Sequence, residues 1–150
     1  MTLLITNDDG IASDGLVALE SAAAAFGEVL TVAPEKEQSA TSHRFTLHKP
    51  LRAYAHGARR WSVSGSPADC SYMGLNHFLE ERPKLVLSGV NRGPNMGNDV
   101  FYSGTAAGAR EGCFHGINSV AFSLNIRSQD SVRHWDTATV AVRWVVDHVI

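Results

Sequence analysis

The sequence predicts an α/β fold: a mainly parallel sheet with helices on both faces, in three α/β/α layers. Two observations predict it. Strand-length apolar runs alternate along the chain with longer stretches of helical periodicity, the pattern of strand–helix–strand crossovers. The first such unit, ITNDDG preceded by leucines, then a helix, then VLTVA, is complete by Ala33, and crossovers of this kind are nearly always right-handed. The expected architecture is therefore Rossmann-like, with helices covering both faces of the sheet.

Each element follows from its residues. Thr2 to Thr6 is a short Leu- and Ile-rich run closed by Asn7, Asp8, Asp9 and Gly10, which reads as a buried strand ending in a polar turn. Leu16, Leu19, Ala22, Ala23 and Phe26 recur at helical spacing, predicting an amphipathic helix over about Ser13 to Phe26, stopped by Gly27. Val29 to Ala33 is a second buried strand, ended by Pro34. Residues 35 to 50 are polar and read as a loop with at most a short edge strand near Phe45. Leu51 to Tyr54 and Trp61 to Val63 read as short strands joined through His56 and Gly57. Ala68 to Leu79 reads as a helix with Pro67 near its first turn, where proline is favoured. Leu85 to Leu87 is a third buried strand, opening into the Gly- and Asn-rich stretch SGVNRGPNMGND. Thr105 to His115 is a helix of small residues, and Ser119 to Ser123 a fourth buried strand. A last helix starts near Ser131, with a stripe of Ala138, Val142, Val145, Val146 and Val149. The stripe is still running at Ile150, so the chain is expected to be C-terminally truncated.

Composition narrows the function. The 150 residues suit one domain with one sizeable core. A formal net charge of -2 offers no global basic field for a nucleic acid duplex, so a small anion needs a local device. Cys70 and Cys113 form no CxxC pair and read as reduced thiols. The N-terminus lacks a basic leader, and no apolar run is long enough to span a membrane. A cytoplasmic protein is the expectation.

In open α/β sheets, ligands bind beyond the carboxyl ends of the strands. That rule gathers three loops into one candidate site: the first carries Asp8 and Asp9, the second Ser39, the third Asn91 and Asn95. Gly10 lets the backbone turn so that both aspartates aim at one point. Such close carboxylates repel unless a cation or proton sits between them, and a hard ion such as Mg2+ or Mn2+ takes carboxylate and neutral oxygen ligands. Equally, either aspartate serves as a helix cap or turn former, and the asparagines as turn residues. Tyr102-Ser103-Gly104-Thr105 precedes the small-residue helix, whose free N–H groups attract anions, although an ordinary N-cap is also consistent. No Walker loop and no GxGxxG follows the first strand. His43 is the histidine nearest a proposed ligand, and Asp69 caps a helix or shapes the pocket floor.

Taken together, LLITNDDGI (3–11), VAPEKEQSA (32–40), SGSPADC (64–70), LVLSGVNRGPNMGNDV (85–100) and YSGTAAGAREG (102–112) resemble the SurE survival-protein family of 5'-nucleotidases. The resemblance implies a divalent metal, Mg2+ or Mn2+, on Asp8, Asp9, Ser39 and Asn91. It implies phosphate binding by Asn95, Ser103, Gly104 and Thr105, and hydrolysis of nucleoside 5'- and 3'-monophosphates by a homodimer or homotetramer. Ser66 stands where the family has threonine, and AAGA where it has VAAA, which thins the helix packing. Family members resemble considerably longer chains.

The expected mechanism is attack of a metal-activated water, with Asp8 and Asp9 catalytic and Asp9 preferred as the base. The alternatives are a covalent aspartyl-phosphate phosphatase using Asp8, and a non-catalytic nucleotide- or metal-binding fragment.

Overall fold

A computed structural model describes residues 1–126 and 133–150. Among these, six strands form one sheet. Their ranges are β1 (Thr2–Thr6), β2 (Glu28–Pro34), β3 (Ala53–Gly57), β4 (Arg60–Val63), β5 (Leu85–Arg92) and β6 (Ser119–Leu124), in spatial order β3-β4-β2-β1-β5-β6. Every pairing is parallel except the β3–β4 hairpin. The helices are α1 (Asp14–Ala23), α2 (Pro67–Met73), α3 (Asp99–Tyr102), α4 (Gly104–Phe114) and α5 (Trp135–Val149). α1 and α5 pack together on one face of the sheet, and α2 and α4 on the other. The α/β class expected from the alternation is the fold observed.

Two cores result from the two-residue period of the strands. Leu3, Ile5, Leu85 and Leu87 point toward α1 and α5, where they meet Leu16, Leu19, Val142 and Val146. Leu4 and Val86 point the other way and join Leu30, Val32, Val63 and Cys70. Full burial of each such leucine stabilises by about 1.5–3 kcal/mol. Cys70 and Cys113 are both free, and burial pushes the Cys70 thiol well up, aided by the neighbouring charge of Asp69.

Several boundaries differ from the expectations. No strand forms near Phe45. The hairpin sits later than expected, so His56 and Gly57 belong to β3 and the turn falls after them. The helix expected over Ala68 to Leu79 leaves α geometry after Met73 and continues as a π turn, Gly74–Phe78, which lets Gly74 seat against Leu4. β5 runs five residues past Leu87 because β6 continues to pair with it, Asn91 against Ser123 and Arg92 against Leu124, across an irregularity after Ser88. α3 was not foreseen. Gly108 does not thin the packing of α4: a Cβ there would lie 2.6 Å from Thr6 and 2.8 Å from Ser88, so the glycine permits close contact with the sheet. The last helix is described from Trp135 onward, and the start expected near Ser131 lies outside the described residues.

The position of the site follows from the topology. After β1 the chain turns to α1 on one face, whereas after β5 it turns to α3 and α4. The carboxyl ends of these adjacent strands therefore diverge, leaving a crevice between them.

Candidate functional site

The turn after β1 is built by Asn7. Its buried amide Nδ2 donates to Gly10 O at 3.0 Å and to the α1 cap Ser13 Oγ at 2.7 Å. Gly10 has a φ of 95°, a conformation that glycine adopts without penalty, and its bare face lies against the backbone of Lys36. This bend sends both aspartates into the crevice. Ser13, not an aspartate, caps α1.

Asp8 is 5% exposed, and its Oδ1 accepts a hydrogen bond from Thr105 Oγ1 at 2.6 Å. Asp9 Oδ2 accepts from the Arg92 N–H at 3.1 Å. Burial raises the Asp8 carboxyl above its ordinary pKa, opposed by the Thr105 hydroxyl and reinforced by Asp9. Burial likewise raises Asp9, opposed by the Arg92 N–H and reinforced by Glu37. Three carboxylates thus press negative charge on one another.

Ser39 arrives on the loop after β2, tied to β1 by the Gln38 N–H donating to Asp8 O at 2.7 Å. Ala40 and Ser42 hold left-handed φ of 54° and 53°, a strain of about 1–3 kcal/mol each that surrounding contacts must sustain. Ser39 Oγ donates to Glu37 Oε1 at 2.7 Å. Asn91 lies on β5 itself, its Nδ2 donating to Gly93 O at 3.0 Å, while its amide oxygen is the atom suited to a cation. Asn95 Nδ2 donates to Ser123 Oγ at 2.8 Å.

Ser103 caps α4 by accepting from the Ala106 N–H. Gly104 abuts Asp8, where a Cβ would come within 2.8 Å of the Asp8 Cβ. A side chain there would push α4 off the crevice.

A cleft of about 280 Å³ results, lined by Asp8, Asp9, Ser39, Asn91, Asn95 and Ser103. Gly104 and Thr105 stand behind Asp8 rather than on the wall, and Thr105 is fully buried. Sequence reasoning did not single out Glu37, Arg92 and Asp99, which also line the cleft, as does Tyr102 of the Tyr102–Thr105 segment. Glu37 and Asp99 were legible only as acids near proposed ligands. His43 does not line it, and its Nε2 pairs instead with Glu111 Oε2 at 2.8 Å.

The donor set suits a hard divalent ion. Two crowded carboxylates with raised pKa, a hydroxyl and an amide oxygen offer hard donors with negative charge to neutralise. Among the described residues no group of three His, Cys, Asp or Glu side chains has metal-binding geometry. No helix of the described residues is long and apolar enough to cross a membrane.

The fold and cleft define an α/β protein of the class that gathers oxygen donors at the carboxyl edge of its sheet. The chain belongs to the Survival protein SurE family, whose pattern it matches over residues 3–150. It is 50% identical to the 5'-nucleotidase SurE of Gemmatimonas aurantiaca over 99% of this chain and 59% of that protein. It is 52% identical to the 5'-nucleotidase SurE of Citrifermentans bemidjiense over 85% of this chain and 52% of that protein. The crystal structure of the SurE protein from Aquifex aeolicus superposes with a TM-score of 0.91 at 40% identity, over 99% of this chain and 60% of that one. The chain thus spans little more than half the length of these relatives.

Proposed function

We propose that this chain is the catalytic core of a metal-dependent phosphomonoesterase hydrolysing nucleoside 5'- and 3'-monophosphates to nucleoside and phosphate. The observation that carries the reading is the meeting of Asp8 and Asp9 from the turn after β1, Ser39 from the loop after β2 and Asn91 from the end of β5 on one cleft beside Asn95 and Ser103. The family's named 5'-nucleotidases support the choice of substrate.

In this reading Asp8, Asp9, Ser39 and Asn91 hold one divalent cation, Mg2+ or Mn2+. When bound, such an ion polarises a phosphoryl oxygen and lowers the pKa of water. Asp9 orients the attacking water and accepts its proton. Thr105 holds Asp8 in place. Asn95 and Ser103 donate to the phosphoryl oxygens, and Gly104 lets the start of α4 pack against Asp8.

Phosphate release from a nucleoside monophosphate panel, with and without EDTA and added Mn2+ or Mg2+, tests the reading. Full turnover by metal-stripped protein sinks it. The aspartyl-phosphate alternative is tested by single-turnover trapping, in which no phosphoenzyme is expected.

The alternative reading is a non-catalytic metal- or nucleotide-binding unit. Binding of Mn2+ without any phosphate release would select it. A homodimer or homotetramer is proposed for the longer form, and sedimentation of this chain measures how much of that assembly it retains.

A further inference from the structure

We propose that Asp69 is a positioning residue: from outside the cleft it sets the loop that carries Ser39, and so tunes the affinity of the proposed cation site. The inference rests on the reading of Ser39 as a ligand.

Asp69 is fully buried at the first turn of α2 and does not line the cleft. A buried carboxylate is tolerated only when its lone pairs are satisfied. One Asp69 oxygen accepts from the Ser66 N–H at 2.8 Å, completing the capping box of α2. Two further bonds come from the loop: Oδ1 accepts from the Thr46 N–H at 2.8 Å, and Oδ2, the oxygen that takes the Ser66 N–H, also accepts from Thr46 Oγ1 at 2.7 Å. Capping α2 needs only the first bond, so the remaining two serve the loop. Ser66 Oγ adds a bond to Arg44 O.

The same loop is held at further points. Arg44 Nη2 reaches back to Gln38 Oε1 at 2.6 Å, and Ser42 donates through N–H and Oγ to the carbonyls of Tyr102 and Phe101. His43 pairs with the buried Glu111 of α4. Between these ties lie the two left-handed residues, Ala40 and Ser42, and immediately before them Ser39. A strained backbone beside a ligand persists only when its surroundings over-determine it. Asp69 and Glu111 are the two buried acids that do so, one on each of the helices packed on this face.

The test compares wild type with Thr46→Val, which removes one donor to Asp69, and Thr46→Ser, which restores it. The probe is Mn2+ itself, titrated by calorimetry, with amide hydrogen exchange at Gln38 and Ser42 as a second readout. Thr46→Val is expected to weaken Mn2+ binding by about tenfold, the usual scale for a lost outer-shell partner. It should speed exchange at both amides while leaving kcat at saturating Mn2+ near wild type, and Thr46→Ser should recover both binding and exchange. Unchanged Mn2+ affinity and exchange in Thr46→Val overturn the proposal, as does a loss that serine does not repair. If wild type binds no Mn2+, the proposed function fails, and exchange alone then decides whether Asp69 holds the loop.

Discussion

Asp9 faces opposing demands. Its carboxyl pKa is raised in the fold by burial and by Glu37, so the folded state of the metal-free protein binds its proton more tightly than the unfolded chain does. The sign follows from linkage: this contribution to stability is present below pH 3.8 and is lost as pH rises through the higher folded value. Asp9→Asn removes the charge, so the EDTA-treated variant should melt above wild type at neutral pH, and the gap should close toward pH 4. Thermal melts across that range read it directly, at about 2–4 °C per kcal/mol for a chain of this size. The same substitution should lower kcat by about 10²–10⁴-fold through loss of the base. A variant that gains stability while losing turnover separates a functional carboxylate from a turn former. Asp8 and Asp9 were legible as a pair in NDDG, but the Thr105 hydroxyl on Asp8 was not, because 97 residues separate the partners. Thr105→Val should leave Asp8 held by backbone N–H groups alone and weaken Mn2+ binding, which the same calorimetric titration measures.

Among the elements, glycines decide how closely helices approach the sheet. At Gly15 a Cβ would lie 2.0 Å from the Val90 carbonyl oxygen, so α1 can sit against β5 only without a side chain there. Gly15→Ala is expected to force α1 outward and destabilise by about 1–3 kcal/mol, the scale of overpacking, and a urea titration should show the midpoint falling with little change in slope. The apolar runs made β1 and β2 legible to within a residue or two, since their hydrophobic residues are contiguous and a turn follows each. The end of β5 was not legible: the Gly- and Asn-rich stretch from Ser88 read as a loop, yet pairing with β6 carries the strand on to Arg92. That difference places Asn91 on a strand rather than in a loop. The short α3 likewise left no periodic signature, because four residues complete little more than one turn.

For the molecule as a whole, a ligand that binds only the folded state stabilises it by mass action. Mn2+ at a hundred times its dissociation constant should add about 2.7 kcal/mol, seen as a concentration-dependent rise in Tm that EDTA reverses; a Tm indifferent to Mn2+ counts against the cation site. Alternation of apolar runs with helical stripes by itself determined the α/β class, since the central strands β1, β2 and β5 bury both faces under helices, whereas β6, expected as a fourth buried strand, lies at the sheet edge and stays partly exposed. Local chemistry also nominated the aspartates and the asparagines, and the rule that ligands bind beyond the carboxyl ends of strands added Ser39. What only the tertiary structure decided is which of these groups meet. The divergence of the chain after β1 and β5 opens the cleft between them, and buried acids on α2 and α4 bind the Ser39 loop over it. His43, close to Ser39 in sequence, turns away to Glu111, whereas Thr105, distant in sequence, holds Asp8. The physical reason is range: periodicity and turn propensity act over a few residues, whereas contacts across a sheet depend on strand order, register and the close approach that particular glycines allow.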